Sequence, residues 1–226
     1  MEPLHTHRAD ATDFSKNLQF HIAMISSDDL PVSAYPPGGR HETDTAKYEK
    51  RGFASIVPTW EKETCTQCNQ CATICPHSVI RPFLMNAEET KNAPAAFTSL
   101  PAVGDELKGL NFRIQASPLD CTGCEVCATV CPTQSLKMKP LAEVRDVESN
   151  NWEYAMTLTN KGDLVDKTTV KGCAFQTPML EFNGACAGCG EMTILKILTQ
   201  LYGERIQFAD AMGCTMVSLG GIGVSP

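Results

Sequence analysis

The chain has no long hydrophobic run: over its 226 residues, no apolar stretch approaches the ~20 residues that a membrane-spanning helix needs. Its beginning, Met1 to Ala11, lacks the apolar segment of a secretory signal peptide, so we expect no secretion. A surplus of basic residues is also missing. The net charge of −7 argues against nucleic acid as a partner, because nucleic acids attract basic patches. Aromatic residues make up only 7% of the chain, as expected of a protein with much loop.

Cysteine, by contrast, is abundant: the chain has 12, and eight of them form one short motif that occurs twice. Shifting the sequence by 56 positions superposes the four cysteines of one copy on those of the other. The copies are Cys65, Cys68, Cys71, Cys75 with Pro76, and Cys121, Cys124, Cys127, Cys131 with Pro132. So many thiols in an otherwise ordinary composition indicate metal binding in a reducing compartment, which we expect to be the cytoplasm or an anaerobic organelle.

Each copy has the C-x2-C-x2-C-x3-C-P spacing of a ferredoxin that carries two [4Fe–4S] clusters. In such a run three closely spaced thiolates hold one cluster, and the fourth cysteine reaches the other cluster. The spacing therefore predicts two crossed groups of ligands. The first set is Cys65, Cys68, Cys71 and Cys131, and the second set is Cys75, Cys121, Cys124 and Cys127.

Zinc binding and disulfide bonding both fit this cysteine pattern less well. Zinc sites pair cysteines as C-x2-C with a distant second pair, which differs from four cysteines within one short run. A disulfide framework would require a secreted chain. We therefore predict a bacterial-type 2[4Fe–4S] ferredoxin-like domain of the α+β class.

The segments around the two motifs carry weaker signals. Residues 1 to about 47 are interpreted as a connector with one short extended piece, residues 29–34. Short strands are expected before the first motif and after each motif. Their ranges are residues 53–58, 77–84 and 133–140. Ile80 and Leu136 occupy equivalent places in the two copies and should meet in a pseudo-two-fold core.

The segment between the two motifs and the segment after the second are longer than a minimal ferredoxin requires. A helix is expected to begin at Ala87, and the loose alternation of residues 107–116 favours a strand. Residues 141–172 mix charged and apolar types and are interpreted as one helical turn followed by a long link. The lone Cys173 is interpreted as a buried thiol, because free cysteine behaves as a small hydrophobic residue.

A second group of cysteines follows. The turn Asn183-Gly-Ala-Cys-Ala-Gly-Cys-Gly-Glu191 precedes an apolar helix over residues 192–202, which Gly203 should end. Its apolar face is predicted to be Ile194, Leu195, Ile197, Leu198 and Leu201. Residues 206–209 are predicted as a strand that leads to Cys214, as in the opening of an α/β unit. A C-x2-C at a helix start is also typical of thioredoxin-like redox pairs. Here the third cysteine favours a further cluster at Cys186, Cys189 and Cys214.

The order of these motifs resembles the single-chain pyruvate:ferredoxin (flavodoxin) oxidoreductases. Supporting phrases are Tyr48-Glu-Lys-Arg-Gly52, Cys68-Asn-Gln-Cys71 and Ala211-Met-Gly-Cys214. The resemblance covers the chain from about Leu30 onward. Because that family is much longer, we interpret the sequence as a fragment. It would hold a leader (residues 1–54), the ferredoxin-like domain (55–145), a linker (146–180) and the truncated start of an α/β thiamine diphosphate-binding domain (181–226).

The resemblance implies a function for the full-length enzyme. Pyruvate and coenzyme A would give acetyl-CoA and carbon dioxide, with thiamine diphosphate and Mg²⁺ as cofactors. It implies a third, proximal cluster on Cys186, Cys189 and Cys214, whose fourth cysteine lies downstream, and contacts of Glu191 and Cys214 with thiamine diphosphate. Electrons would pass from that cluster through the two ferredoxin-type clusters to ferredoxin or flavodoxin, in a homodimer.

This segment alone should hold clusters without pyruvate turnover. Two further possibilities stay open at this point. The chain could be a stand-alone electron carrier, or it could belong to an oxidoreductase for another 2-oxoacid.

Overall fold

The computed structural model describes residue 18 and residues 20–23, 26–35, 37–39, 42–209 and 213–215. The strands are β1 (Ile56–Trp60), β2 (Ile80–Met85), β3 (Leu100–Pro101), β4 (Asn111–Ala116) and β5 (Leu136–Pro140). The α-helices are α1 (Phe20–Ala23), α2 (Gln70–Ile74), α3 (Ala87–Asn92), α4 (Val126–Val130), α5 (Leu141–Thr157), α6 (Val170–Cys173) and α7 (Gly190–Tyr202). None of the helices in these described residues is both long and apolar enough to cross a membrane.

The strands form two small antiparallel sheets that interlock the two halves of the repeat. Strand β1 pairs with β5, so that Trp60 lies opposite Leu136. Strand β4 lies between β2 and β3, with Ile80 opposite Ala116. Each cysteine motif therefore connects strands of different sheets. Proline is tolerated in β1 and β2 because both strands lie at a sheet edge, where Pro58 and Pro82 leave no central ladder broken.

The 56-residue repeat is preserved in the backbone as well as in the cysteines. Helices α2 and α4 are offset by that number of residues, as are the starts of β2 and β5. Three pairs of equivalent residues have a positive φ, a conformation that is uncommon for residues other than glycine. The pairs are Gln67 (57°) with Gly123 (68°), Asn69 (61°) with Glu125 (64°), and Ser78 (55°) with Gln134 (52°).

The core lies between the two sheets and the helices that cover them. Val57, Ile80, Phe112 and Leu136 are all at most 5% exposed and share one hydrophobic cluster, so Ile80 and Leu136 both belong to the core. Phe112 contacts Trp60 edge to face, with ring centroids 6.2 Å apart. Burying each such side chain contributes about 1.5–3 kcal/mol relative to leaving it exposed.

Most of the predicted regular elements are present, with shifted ends. The strands expected around the motifs form as β1, β2 and β5, and the strand expected within residues 107–116 forms as β4. Helix α3 begins at Ala87 as predicted. Its start is closed by a capping box, in which the Asn86 side chain accepts from the Glu89 N–H and the Glu89 carboxylate accepts from the Asn86 N–H.

The prediction of one helical turn after the second motif is wrong. Helix α5 has 17 residues and buries Asn151, Trp152 and Ala155. The Trp152 ring meets Phe83 and Phe182 edge to face, at centroid distances of 6.1 and 6.2 Å. The many charged residues of this segment hide its apolar periodicity, although most are good helix formers. The predicted domain boundaries themselves stay predictions.

Helix α7 forms and ends at Gly203 (φ 56°) as predicted, but its apolar residues are not the most buried ones. Its buried residues are Met192, Thr193, Lys196, Thr199 and Gln200, whereas Leu195 is half-buried against the core and Ile194 is 62% exposed. The polar side is buried because neighbouring backbone carbonyls accept hydrogen bonds from it, and the sequence alone does not reveal those partners.

Two short predicted strands are also absent from the described residues. The piece at 29–34 instead contains parts of two 3-10 turns, Ser27–Asp29 and Val32–Ala34. Residues 206–209 have no regular structure, and they pair with no strand of either sheet. Residues 211 and 212, in the predicted loop before Cys214, lie outside the described residues.

Candidate metal centre

Each cysteine run folds as a tight loop that leads into a short helix. The positive φ of Gln67 and of its equivalent Gly123 turns a backbone N–H toward the loop's first cysteine. The Gln67 N–H donates to the Cys65 sulfur at 3.4 Å, and the Gly123 N–H donates to the Cys121 sulfur at 3.4 Å. Hydrogen bonds to sulfur are one means by which a protein tunes an iron–sulfur potential.

The thiols of the first set lie around Cys71, which is buried at the start of α2. Burial raises the pKa of Cys71 to about 12, and the charges of Cys65, Cys68 and Cys131 act in the same direction. Cys131 belongs to the other copy of the motif. The fold therefore brings the fourth cysteine of the second copy to the loop of the first.

The thiols of the second set show the reciprocal arrangement. Burial raises the pKa of Cys127, and among the neighbouring thiols Cys75 has the largest effect. Burial also raises the pKa of Cys121 to about 12, with Cys75 again acting in the same direction. The charge of Cys71 also helps to raise the pKa of Cys127, so the two sets are close neighbours.

The donor set suits an iron–sulfur cluster better than a single ion. The repeated run of four closely spaced cysteines that ends in proline has the ligand spacing of a 2[4Fe–4S] ferredoxin. Zinc binds its thiolates at ~2.3 Å and so draws them together. A four-iron cubane instead accepts one thiolate at each of four separate corners. Burial, together with neighbouring thiols, raises the pKa of Cys71, Cys121 and Cys127, so these three need bound positive charge to persist as thiolates.

The third cysteine loop packs against the second set. Gly188, between Cys186 and Cys189, has φ +76°, and a β-carbon built on it would lie 3.5 Å from the Cys124 β-carbon. The Thr193 hydroxyl donates to the Ile74 carbonyl at 2.8 Å, just before Cys75. The predicted ligands of this loop are thus adjacent to the second set.

Two polar residues, Asn183 and His77, that were not predicted as site residues join this loop to the first motif. The Asn183 side-chain amide donates to the Pro76 carbonyl at 2.9 Å. His77 is 1% exposed, and its Nδ1 lies 3.1 Å from the Asn183 carbonyl oxygen. Burial lowers the pKa of His77, so the neutral ring is favoured. The position of His77 directly after Cys75-Pro76 is the one sequence signal that could have pointed to it.

The two predicted cofactor-binding residues lie near the start of α7. Glu191 is exposed, and its carboxylate accepts a hydrogen bond from the hydroxyl of Thr215, the residue after Cys214. Cys186 and Cys214 are exposed, and Cys189 is half-buried. The structure therefore brings the neighbourhood of Cys214 to Glu191.

Cys173 and Lys196 form a further buried pair near the motifs. Burial raises the pKa of Cys173, and the charge of Lys196 lowers it. Lys196 is 2% exposed and donates from Nζ to the carbonyls of Ala72 and Thr73, at 2.6 and 2.8 Å. Sequence reasoning missed Lys196. Its only signal is a single lysine within an otherwise apolar stretch of helix.

Comparisons with known proteins find family models and relatives that match this chain. A family described as a 4Fe-4S dicluster domain matches residues 64–135, and one described as a domain of unknown function matches residues 2–54. Pyruvate:ferredoxin oxidoreductase of Moorella thermoacetica is 46% identical over 207 residues, which is 91% of this chain and 18% of that protein. Pyruvate-flavodoxin oxidoreductase of Enterobacter agglomerans is 47% identical over 208 residues, which is 90% of this chain and 18% of that protein.

A third relative has NADP(+) in its name in place of ferredoxin or flavodoxin. The mitochondrial pyruvate dehydrogenase [NADP(+)] of Euglena gracilis is 43% identical over 214 residues, covering 95% of this chain and 12% of that protein. The chain thus spans less than a fifth of the length of these curated relatives.

Fold and cysteine pattern together define an iron–sulfur protein of the α+β class with a 4Fe-4S dicluster domain. Within that class, the chain is homologous to one segment of the pyruvate:ferredoxin and pyruvate-flavodoxin oxidoreductases. The resemblance found in the sequence motifs is therefore confirmed.

Proposed function

We propose that this segment conducts electrons in an enzyme that oxidises pyruvate with coenzyme A to acetyl-CoA and carbon dioxide. The observation that carries the proposal is the crossed placement of the thiols. The charge of Cys131 helps to raise the pKa of Cys71, and the charge of Cys75 helps to raise the pKa of Cys127. Pyruvate appears in the name of each of these relatives, which favours it over other 2-oxoacids.

In this proposal the first and second sets each hold one [4Fe–4S] cluster. Bound clusters supply one-electron redox chemistry. The chain's own residues hold them and keep water away. Cys71, Cys75, Cys121 and Cys127 are buried, and the Gln67 and Gly123 N–H groups donate to cluster-facing sulfurs. The second set faces the Cys186–Cys189 loop, so we assign it to the side where electrons enter.

The electron acceptor in this proposal is ferredoxin or flavodoxin. Two of the relatives described above carry one of these carriers in their names, whereas the Euglena relative names NADP(+). The segment is shared among proteins with different acceptors. We therefore infer that another part of the enzyme determines which acceptor receives the electrons from this segment.

We further propose that Cys186, Cys189 and Cys214 hold a third cluster, with a fourth ligand from a part of the protein beyond this segment. Glu191 and Cys214 would lie against thiamine diphosphate, which supplies carbanion chemistry when bound with Mg²⁺. The contact of Thr215 with Glu191 supports this placement. The packing of this loop on the second set argues against a stand-alone carrier, which would have no use for it. We also propose that the full-length enzyme is a homodimer in a reducing compartment.

Paired cysteine variants test the crossed ligand sets. The chain is produced anaerobically, and its iron content and electron spin resonance are measured. Cys75→Ala with Cys124→Ala removes two ligands of one set, so about half of the iron should remain, as expected of one intact cluster. Cys75→Ala with Cys68→Ala removes one ligand of each set and should abolish both clusters.

The control is Cys173→Ser, which should keep the full iron content. The reverse result, in which the Cys75/Cys68 pair keeps half of the iron and the Cys75/Cys124 pair loses all of it, would refute crossed ligation. Zinc in place of iron in the folded chain would refute the electron-transfer function.

A further inference from the structure

Lys196 is a buried cation that the proposed function does not use. It is 2% exposed, and in the part of the chain that the structure describes no carboxylate lies within ion-pair distance of it. Burying a charge is costly unless a partner compensates it. The two carbonyls that it binds, those of Ala72 and Thr73, supply only part of that compensation.

The position of Lys196 relative to the thiols is specific. Both carbonyls belong to α2, between Cys71 of the first set and Cys75 of the second. Burial lowers the pKa of Lys196 to about 8, and of the cysteines that oppose this effect Cys75 is the strongest and Cys71 the weakest. One turn earlier on α7, the Thr193 hydroxyl donates to the Ile74 carbonyl, directly before Cys75, so this face of α7 lies against the end of α2 that leads into the second set. The positive charge of Lys196 therefore lies between the two sets, on the side of Cys75.

We propose that Lys196 raises the reduction potential of the cluster held by the second set, and raises it more than that of the cluster held by the first set. A [4Fe–4S] cluster bound there would become more negative by one unit when it is reduced by one electron. A fixed cation in a buried, low-dielectric site stabilises that added charge. The inference rests on the proposed function, because it requires both clusters to be present.

The competing role for Lys196 is purely structural. Lysine side chains near a helix C-terminus can bind its last carbonyls, and Lys196 could do this for α2 without affecting any potential. Substitutions separate the two roles. Lys196→Gln removes the charge and keeps a hydrogen-bond donor, Lys196→Met removes both, and Lys196→Arg keeps both.

The experiment is a redox titration of the iron-loaded chain followed by electron spin resonance, after iron content has shown that both clusters are assembled. In Lys196→Gln and Lys196→Met we expect at least a tenfold fall in the equilibrium constant for reducing one cluster, which is about 59 mV for a one-electron couple. The other cluster should shift less, and Lys196→Arg should stay close to the wild type. The control Lys137→Gln removes an exposed lysine of β5 and should change the constant less than twofold, because water screens its charge.

Each other outcome overturns the inference. A shift in Lys196→Met without one in Lys196→Gln would show that the hydrogen bonds matter and the charge does not. Equal shifts of both clusters would contradict the preference for the second set. Loss of iron in all three Lys196 variants, or in the two neutral ones alone, would assign the residue to assembly. Absence of clusters in the wild-type chain would instead overturn the proposed function itself.

Discussion

Two equivalent residues, Asn69 and Glu125, adopt the same left-handed backbone conformation although their side chains differ. Both precede a short helix in the left-handed conformation, with φ 61° and 64°. Asn69 is 1% exposed, and its side chain donates to the Lys171 carbonyl at 3.0 Å. Glu125 is exposed. A left-handed conformation costs an ordinary residue roughly 1–2 kcal/mol, and asparagine tolerates it better than glutamate.

Replacing Glu125 with glycine should therefore stabilise the chain. We expect Glu125→Gly to raise the free energy of unfolding of the iron-loaded protein by about 0.5–1 kcal/mol, after the greater freedom of glycine in the unfolded chain is subtracted. Anaerobic guanidinium unfolding measures the change. The matched variant Asn69→Gly relieves the same backbone strain but loses a buried hydrogen bond, so it should lower the free energy of unfolding. Destabilisation by both variants would contradict this account.

At the scale of whole elements, helix α5 joins the ferredoxin-like core to the segment that follows it. Its Trp152 lies between Phe83 of β2 and Phe182, and the Arg81 guanidinium lies 5.3 Å from the Trp152 ring centroid. Arg81 also pairs with the buried carboxylate of Glu181. One aromatic side chain thus connects a helix, a strand and the stretch that leads to the third cysteine loop.

Truncating this side chain should be costly. Trp152→Ala is expected to lower the free energy of unfolding by about 3–5 kcal/mol, because it removes a large buried ring and leaves a cavity. Val147→Ala lies on the same helix at a side chain that is 49% exposed, and should change stability by no more than about 0.5 kcal/mol. Chemical unfolding of the two variants side by side checks the prediction. Equal effects would mean that α5 does not dock through Trp152.

At the scale of the whole molecule, the third cysteine loop and α7 are packed onto the dicluster unit. Gly188 allows the loop to lie close to the Cys124 and Val126 side chains. Gly190 begins α7, and a β-carbon there would meet nothing within 4 Å. These two glycines provide a matched pair for testing whether the loop and the second set form one unit.

Gly188→Ala should loosen the loop because its φ of +76° disfavours any side chain. A cost of about 1 kcal/mol would accelerate amide hydrogen exchange within residues 186–189 by roughly fivefold. Gly190→Ala should not accelerate it, because alanine is the better helix former. Unchanged exchange in Gly188→Ala would show that the loop is not held by this contact.

The amino-acid sequence alone was enough to predict the repeat, the α+β class and the strands around each motif, because cysteine spacing and short-range patterns act locally. It predicted α7 from Met192 and the apolar residues that follow, and the end of that helix from Gly203. Prediction from the sequence failed where an element is stabilised by contacts with residues that are distant in the sequence. Helix α5 is held by Phe83 and Phe182, and the polar side of α7 is buried because α2 offers carbonyls to Lys196 and Thr193. Such cases depend on how distant segments pack together, since a buried cation is tolerated only where separate segments bring compensating groups to it.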